Sequence, residues 1–245
     1  MIPVFNTAPV RSPPIMTWSL IAANCAIFLF QMRMPLAELE LFVMSYGLVP
    51  ARYFSALPYG QYEAGLADYL PFLTSMFLHG GWLHLIANVW TLWLFGPAVE
   101  DRLGSLRYIT LYLAGGVVAS LVHVAANPMS TVPTVGASGA ISAVLGCFLL
   151  LFPFAQLVLL VPVLFLPLFF DVPAVIYIGL WFLIQLIQGA VTSLLPVGEA
   201  LIAWWAHVGG FVAGLVLGLL LCRSRNFRPY YGDEGVLGFT PSGRP

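Results

Sequence analysis

Between Arg107 and Asp171 the chain reads YITLYLAGGVVASLVHVAANPMSTVPTVGASGAISAVLGCFLLLFPFAQLVLLVPVLFLPLFF, 63 residues without an Asp, Glu, Lys or Arg. Two equally bare runs follow, 27 residues from Val172 to Gly198 and 23 from Ala200 to Cys222. About 20 apolar residues cross the hydrocarbon of a bilayer as one helix, so these runs hold several spans and the chain is read as a polytopic, all-α membrane protein. Composition agrees: 60% of the 245 residues are hydrophobic and 8% charged, where a soluble domain carries roughly a quarter charged residues.

Working outward, apolar runs bounded by turn signals give six spans, roughly 15–33, 75–97, 106–126, 136–153, 172–194 and 200–222. They predict one six-helix bundle over 15–222, preceded by a segment 1–14 and followed by a tail 223–245. The mixed stretch 34–70, with Glu38, Glu40, Arg52, Glu63 and Asp68, is long for a connector and is expected to hold short interfacial helices. Residues 154–170 are apolar but broken by Pro162 and Pro167, which favours a re-entrant or interfacial loop over a seventh span.

Orientation follows the arginines, which make up all nine basic residues. With both termini inside, inner regions hold Arg11, Arg102, Arg107, Arg223, Arg225, Arg228 and Arg244, and the outer side holds Arg33 and Arg52. That bias predicts an N-in, C-in protein with cytoplasmic termini, and a bacterial-type inner membrane is the expected location. A net charge of −1 without a basic stripe excludes a nucleic-acid partner. Cys25, Cys147 and Cys222 lie in apolar runs without CxxC spacing, and His79 and His84 fall on different sides of a helix, so neither a metal nor another cofactor is expected.

Polar groups inside apolar spans are costly and point to function. No carboxylate falls within these spans, which argues against a proton-coupled carrier. Helical rise counted back from each inner end puts Ser138, His84 and His207 at one depth, about 22–24 Å from the inner boundary. Asn88 follows one turn below His84 on the same face. Small-residue ridges, Gly139 and Ala143 on one helix and Gly210, Gly214 and Gly218 on another, allow close approach. A serine hydroxyl becomes a nucleophile when an adjacent histidine takes its proton. Ser138 also opens a helix, where free N–H groups favour an oxyanion.

Each of these features has an ordinary structural explanation. An isolated GxSG in an apolar helix is usually a packing element. His79 and His123 read as locally satisfied histidines, and Asn24, Gln185 and Gln188 as interhelical hydrogen-bonders. The combination is more specific. Thr74 to Asn88 (TSMFLHGGWLHLIAN), continuing to Glu100 and Gly104, together with Gly136-Ala137-Ser138-Gly139 and Ala206-His207-Val208-Gly209-Gly210, resembles the rhomboid family of intramembrane serine proteases.

The resemblance implies a six-helix rhomboid-like bundle with Ser138 as nucleophile, His207 as general base, and His84 and Asn88 as oxyanion donors. It implies membrane-spanning helices as substrates, met within the lipid bilayer. The fifth helix and Leu195-Pro196-Val197-Gly198-Glu199 would then form a lateral gate and cap. In one departure, Ser142 stands where some relatives carry a tyrosine against the base. Orientation of His207 is therefore expected from Trp204, Trp205 or the glycine ridge. A non-catalytic scaffold of the same shape can dispense with Ser138 or His207, and both are present here. A channel would need a continuous polar path.

Overall fold

The computed structural model describes residues 1–54, 65–163, 166–194 and 202–222. Six long helices occur in the expected order: α1 (Ile15–Gln31), α4 (Trp82–Leu103), α5 (Ser105–Ala126), α6 (Ser138–Leu151), α7 (Ala174–Thr192) and α8 (Trp204–Cys222). Four of them, α4, α5, α7 and α8, are long and apolar enough to cross a membrane, and α1 and α6 are shorter apolar helices. Between α1 and α4 lie α2 (Leu36–Tyr46), the one-turn α3 (Pro71–Thr74) and 3-10 turns at Pro50–Tyr53, Leu66–Tyr69 and Ser75–Phe77. The stretch 34–70 thus carries the expected short helices. The tail 223–245 and the segment 195–199 lie outside the described residues.

Helix α6 is apolar on every side and occupies the centre, as such a helix must. It packs against α4, α5 and α8, and Val144, Cys147, Phe148 and Leu151 are fully enclosed. Its short length follows from its start: residues 127–137 approach it as non-helical chain, tolerated at membrane depth only where the backbone lines a cavity or is buried in protein. That chain is pinned from three sides. Leu48 and Thr134 exchange backbone hydrogen bonds of 2.9 and 2.8 Å, Ala51 N–H donates to Ser130 O at 2.9 Å, and Gly136 N–H donates to Ser75 O at 2.9 Å.

The second span differs from expectation. Its helix runs 82–103, not 75–97, because the chain at Gly80-Gly81 is not helical and the helix continues to Gly104. Gly104 has φ +79°, a left-handed conformation that favours glycine, and it turns α4 directly into α5. Glu100, Asp101 and Arg102 therefore lie inside α4 and are buried, which corrects the reading of a span free of carboxylates. Glu100 is tolerated there because it caps α1. It accepts from Met16 N–H at 2.8 Å, Thr17 N–H at 2.7 Å, the Thr17 hydroxyl at 2.8 Å and the Ser105 hydroxyl at 2.6 Å. The orphan N–H groups that open a helix are natural partners for an anion.

The second correction concerns 154–170. In place of a re-entrant or interfacial loop, the chain forms an antiparallel hairpin of β2 (Gln156–Val163) and β3 (Leu166–Pro173). β1 (Ile2–Asn6), from the segment 1–14, adds to β2 with Ile2 opposite Leu160 and Asn6 opposite Leu157. The helical bundle stands, with this three-stranded sheet attached in the order β1-β2-β3. The prolines fit the sheet because Pro162 lies past the end of β1 and Pro167 is on an edge strand. Leu157 and Leu159 anchor it in the core beside Ala174 and Ile178.

Candidate active site

Ser138, His84 and His207 each fall in the first turn of their helices, α6, α4 and α8. All three line one cleft of about 1160 Å³, together with Asn88, Trp181 and Trp204. Close packing of α6 on α8 brings two of them into contact: Ser138 Oγ lies 2.9 Å from His207 Nε2. The glycine ridge is the reason. A Cβ on Gly210 or Gly214 would overlap the carbonyl oxygens of Gly139 or Ala143, so only glycine allows the backbones this near.

His207 also meets Gln185, one of the residues expected to make interhelical hydrogen bonds. Its Nδ1 is 2.8 Å from Gln185 Oε1 on α7, and Gln185 is 4% exposed. Gln185 Nε2 donates to Trp181 O at 3.1 Å, which turns the amide oxygen toward the imidazole. The rings of Trp181 and Trp204 flank His207 at 6.1 and 6.2 Å. Of the neighbours expected to position His207, Trp204 lies against its ring, whereas Trp205 donates to Ser193 Oγ at 3.0 Å. Ser142 donates to the Ser138 carbonyl at 2.7 Å, a bond within α6. The signal that could have found Gln185 is a buried amide on an otherwise apolar helix; its facing partner depends on the packing of α7 against α8.

His84 and Asn88 converge on the chain just before Ser138. A Cβ on Gly136 would lie 2.6 Å from His84 Nε2 and 3.7 Å from Asn88 Nδ2. Gly136 has φ +129°, so this approach needs glycine on two counts. Asn88 Nδ2 is buried without a protein acceptor, and Ser138, as the first residue of α6, has no intrahelical acceptor for its N–H. His84, Asn88 and Ser138 all line the same cleft.

The other two histidines differ: the His123 ring is paired as expected, whereas both ring nitrogens of His79 are buried without a hydrogen-bond partner, against the expectation of a locally satisfied ring. His123 Nε2 is 2.8 Å from Thr134 Oγ1 and its Nδ1 is 3.3 Å from Asn127 Nδ2, a pairing that ties α5 to the loop before Ser138. The backbone of His79 exchanges hydrogen bonds with the Gln31 amide at 3.1 and 3.3 Å, and its ring sits between Phe28 and His84.

Comparison with known proteins meets this geometry. A family model described as the Rhomboid domain matches residues 67–224, well over half of the chain and all three motifs. The chain is 35% identical over 156 residues to Rhomboid-like protease 5 of Toxoplasma gondii, covering 61% of this chain and 16% of that protein. It is 31% identical over 156 residues to the mitochondrial Rhomboid protein 1 of Saccharomyces cerevisiae, covering 61% and 41%. With Rhomboid protease GluP of Bacillus subtilis it shares 43% over 77 residues, 31% of this chain and 15% of that one. The chain therefore spans less than half the length of these relatives. A matching domain, apolar membrane-spanning helices and three motifs gathered on one cleft lead to one conclusion: the chain belongs to the rhomboid family.

Proposed function

We propose that this protein is an intramembrane serine endopeptidase that hydrolyses peptide bonds in or next to transmembrane helices of membrane-protein substrates. The observation that carries the reading is the 2.9 Å contact between Ser138 Oγ and His207 Nε2 at the floor of a cleft, with Nδ1 of the same ring already paired. In the first step Ser138 Oγ attacks the scissile carbonyl carbon while its proton passes to His207 Nε2. Negative charge collects on the former carbonyl oxygen, where the Ser138 N–H, Asn88 Nδ2 and His84 are the donors. His207 then protonates the leaving amine, and an acyl-enzyme on Ser138 remains. Water, deprotonated by His207, releases the second product.

Substrate entry is assigned beside α7. In its spanning window only 22% of α7 is buried, against 44–50% for the other three long spans, so it has the least packing to lose on moving aside. Trp181, Thr192 and Ser193 of this helix line the cleft. The arginine bias supports an N-in, C-in orientation, with the cleft toward the outer side.

The test is cleavage of a transmembrane reporter by detergent-purified protein. Ser138→Ala and His207→Ala should each abolish it, and unchanged cleavage by Ser138→Ala protein would reject the assignment.

A further inference from the structure

We propose that Gln185 is a positioning residue for His207, holding the imidazole in the tautomer protonated on Nδ1 and so leaving Nε2 free to accept the Ser138 proton. The inference rests on the Ser–His reading above. Its basis is the direction of the hydrogen bonds. The amide of Gln185 has one donor end and one acceptor end. Its donor end is engaged with the Trp181 carbonyl at 3.1 Å, so the end facing His207 Nδ1 at 2.8 Å is an oxygen, which can only accept. Nδ1 must then carry the proton. A neutral imidazole has a single N–H, so Nε2 presents its lone pair to Ser138 Oγ at 2.9 Å.

The opposite tautomer is disfavoured twice. It would set the Nδ1 lone pair against Gln185 Oε1, and it would point an N–H at the hydroxyl that must lose its proton. Gln185 is almost fully buried, so water does not readily take over its role. Ser142 cannot supply the control, because its hydroxyl is used on the Ser138 carbonyl. Trp181 and Trp204 restrict the ring by shape, but an aromatic wall does not distinguish Nδ1–H from Nε2–H. A neutral amide also suits this place better than a carboxylate would, since it orients the base without the cost of burying a charge.

In soluble serine proteases the wrong histidine tautomer costs roughly 10⁴ in kcat. A single neutral acceptor holds less strongly, so Gln185→Leu should lower kcat about 10–100-fold. The experiment compares wild type, Gln185→Leu and Gln185→Glu by reporter kinetics and by ¹⁵N spectra of ring-labelled histidine, with the His207 signals assigned by their loss in His207→Ala. The leucine variant should show the kcat loss with KM within about twofold of wild type, because the contact concerns proton transfer and not substrate binding. The glutamate variant restores an acceptor and should recover most of kcat. His207 should be the Nδ1–H tautomer in wild type and Gln185→Glu, and a mixture in Gln185→Leu.

An Nε2–H tautomer in wild type, an unchanged kcat in Gln185→Leu, or a glutamate variant no better than leucine would each overturn the proposal. The spectra need no turnover. Wild-type protein that holds the Nδ1–H tautomer yet cleaves nothing would support the orienting contact and overturn the endopeptidase reading.

Discussion

Replacing Gly210 by alanine tests whether helix packing sets the catalytic distance. The added Cβ would lie 3.0 Å from the Gly139 carbonyl carbon and 3.2 Å from Ser142 Cβ, and would overlap the Gly139 carbonyl oxygen. Carbon contacts are comfortable at about 3.5–4.0 Å, and the obstacle is backbone, not the end of a flexible side chain. Relief therefore requires α6 and α8 to separate by about 1 Å. Gly139 adjoins Ser138, and Gly210 is less than a turn from His207, so the separation falls on the dyad itself. The 2.9 Å contact would open to roughly 3.9 Å, beyond hydrogen-bond range. Overpacking should cost about 1–3 kcal/mol of stability, and a misplacement of this size about 100-fold in kcat. The assay is reporter cleavage with thermal unfolding measured on the same preparation. Gly179→Ala on α7 is the control, because no atom lies within 4 Å of the added carbon, and it should leave cleavage unchanged. A Gly210→Ala enzyme with the wild-type kcat, or a Gly179→Ala enzyme equally impaired, would refute the reasoning.

Other outcomes follow from the same contacts. Glu100→Ala strips four hydrogen bonds, two of them buried and two partly buried, from the start of α1 and α5 and should destabilise the fold by about 3–5 kcal/mol in denaturant unfolding. Thr17→Ala, losing only the hydroxyl bond, should cost about 1 kcal/mol; equal losses for the two would contradict the capping role. His84→Ala and Asn88→Ala should each lower kcat by roughly 10²–10³ with little change in KM, as expected for donors used mainly in the transition state. A loss confined to KM would instead place them in substrate binding.

Local patterns made much of this molecule legible. The six apolar runs became six helices among the described residues, four of them long enough to cross a bilayer. Ser138, His84 and His207 line one cleft, and each opens its helix, a fact carried by the glycines and prolines just before α4 and α6. What could not be read was non-local. The strands Gln156–Val163 and Leu166–Pro173 pair in a sheet whose third strand is Ile2–Asn6, more than 150 positions from its partners in β2, and an apolar run with two prolines looks the same as a loop until that partner is known. Glu100 looked like a membrane boundary because its stabilising donors, Met16 and Thr17, are more than 80 residues distant in sequence. Gln185 stood out as polar, but which nitrogen it would face depended on the rotation of α7 about its axis.

The claim that Ser138 is a nucleophile activated within this cleft has a direct chemical readout. Treatment of the folded protein with a fluorophosphonate, followed by mass-spectrometric mapping of the adduct, should place one phosphonyl group on Ser138 in wild type and none in His207→Ala or Ser138→Ala protein. An adduct on another serine, or undiminished labelling of Ser138 in the His207→Ala variant, would contradict the account.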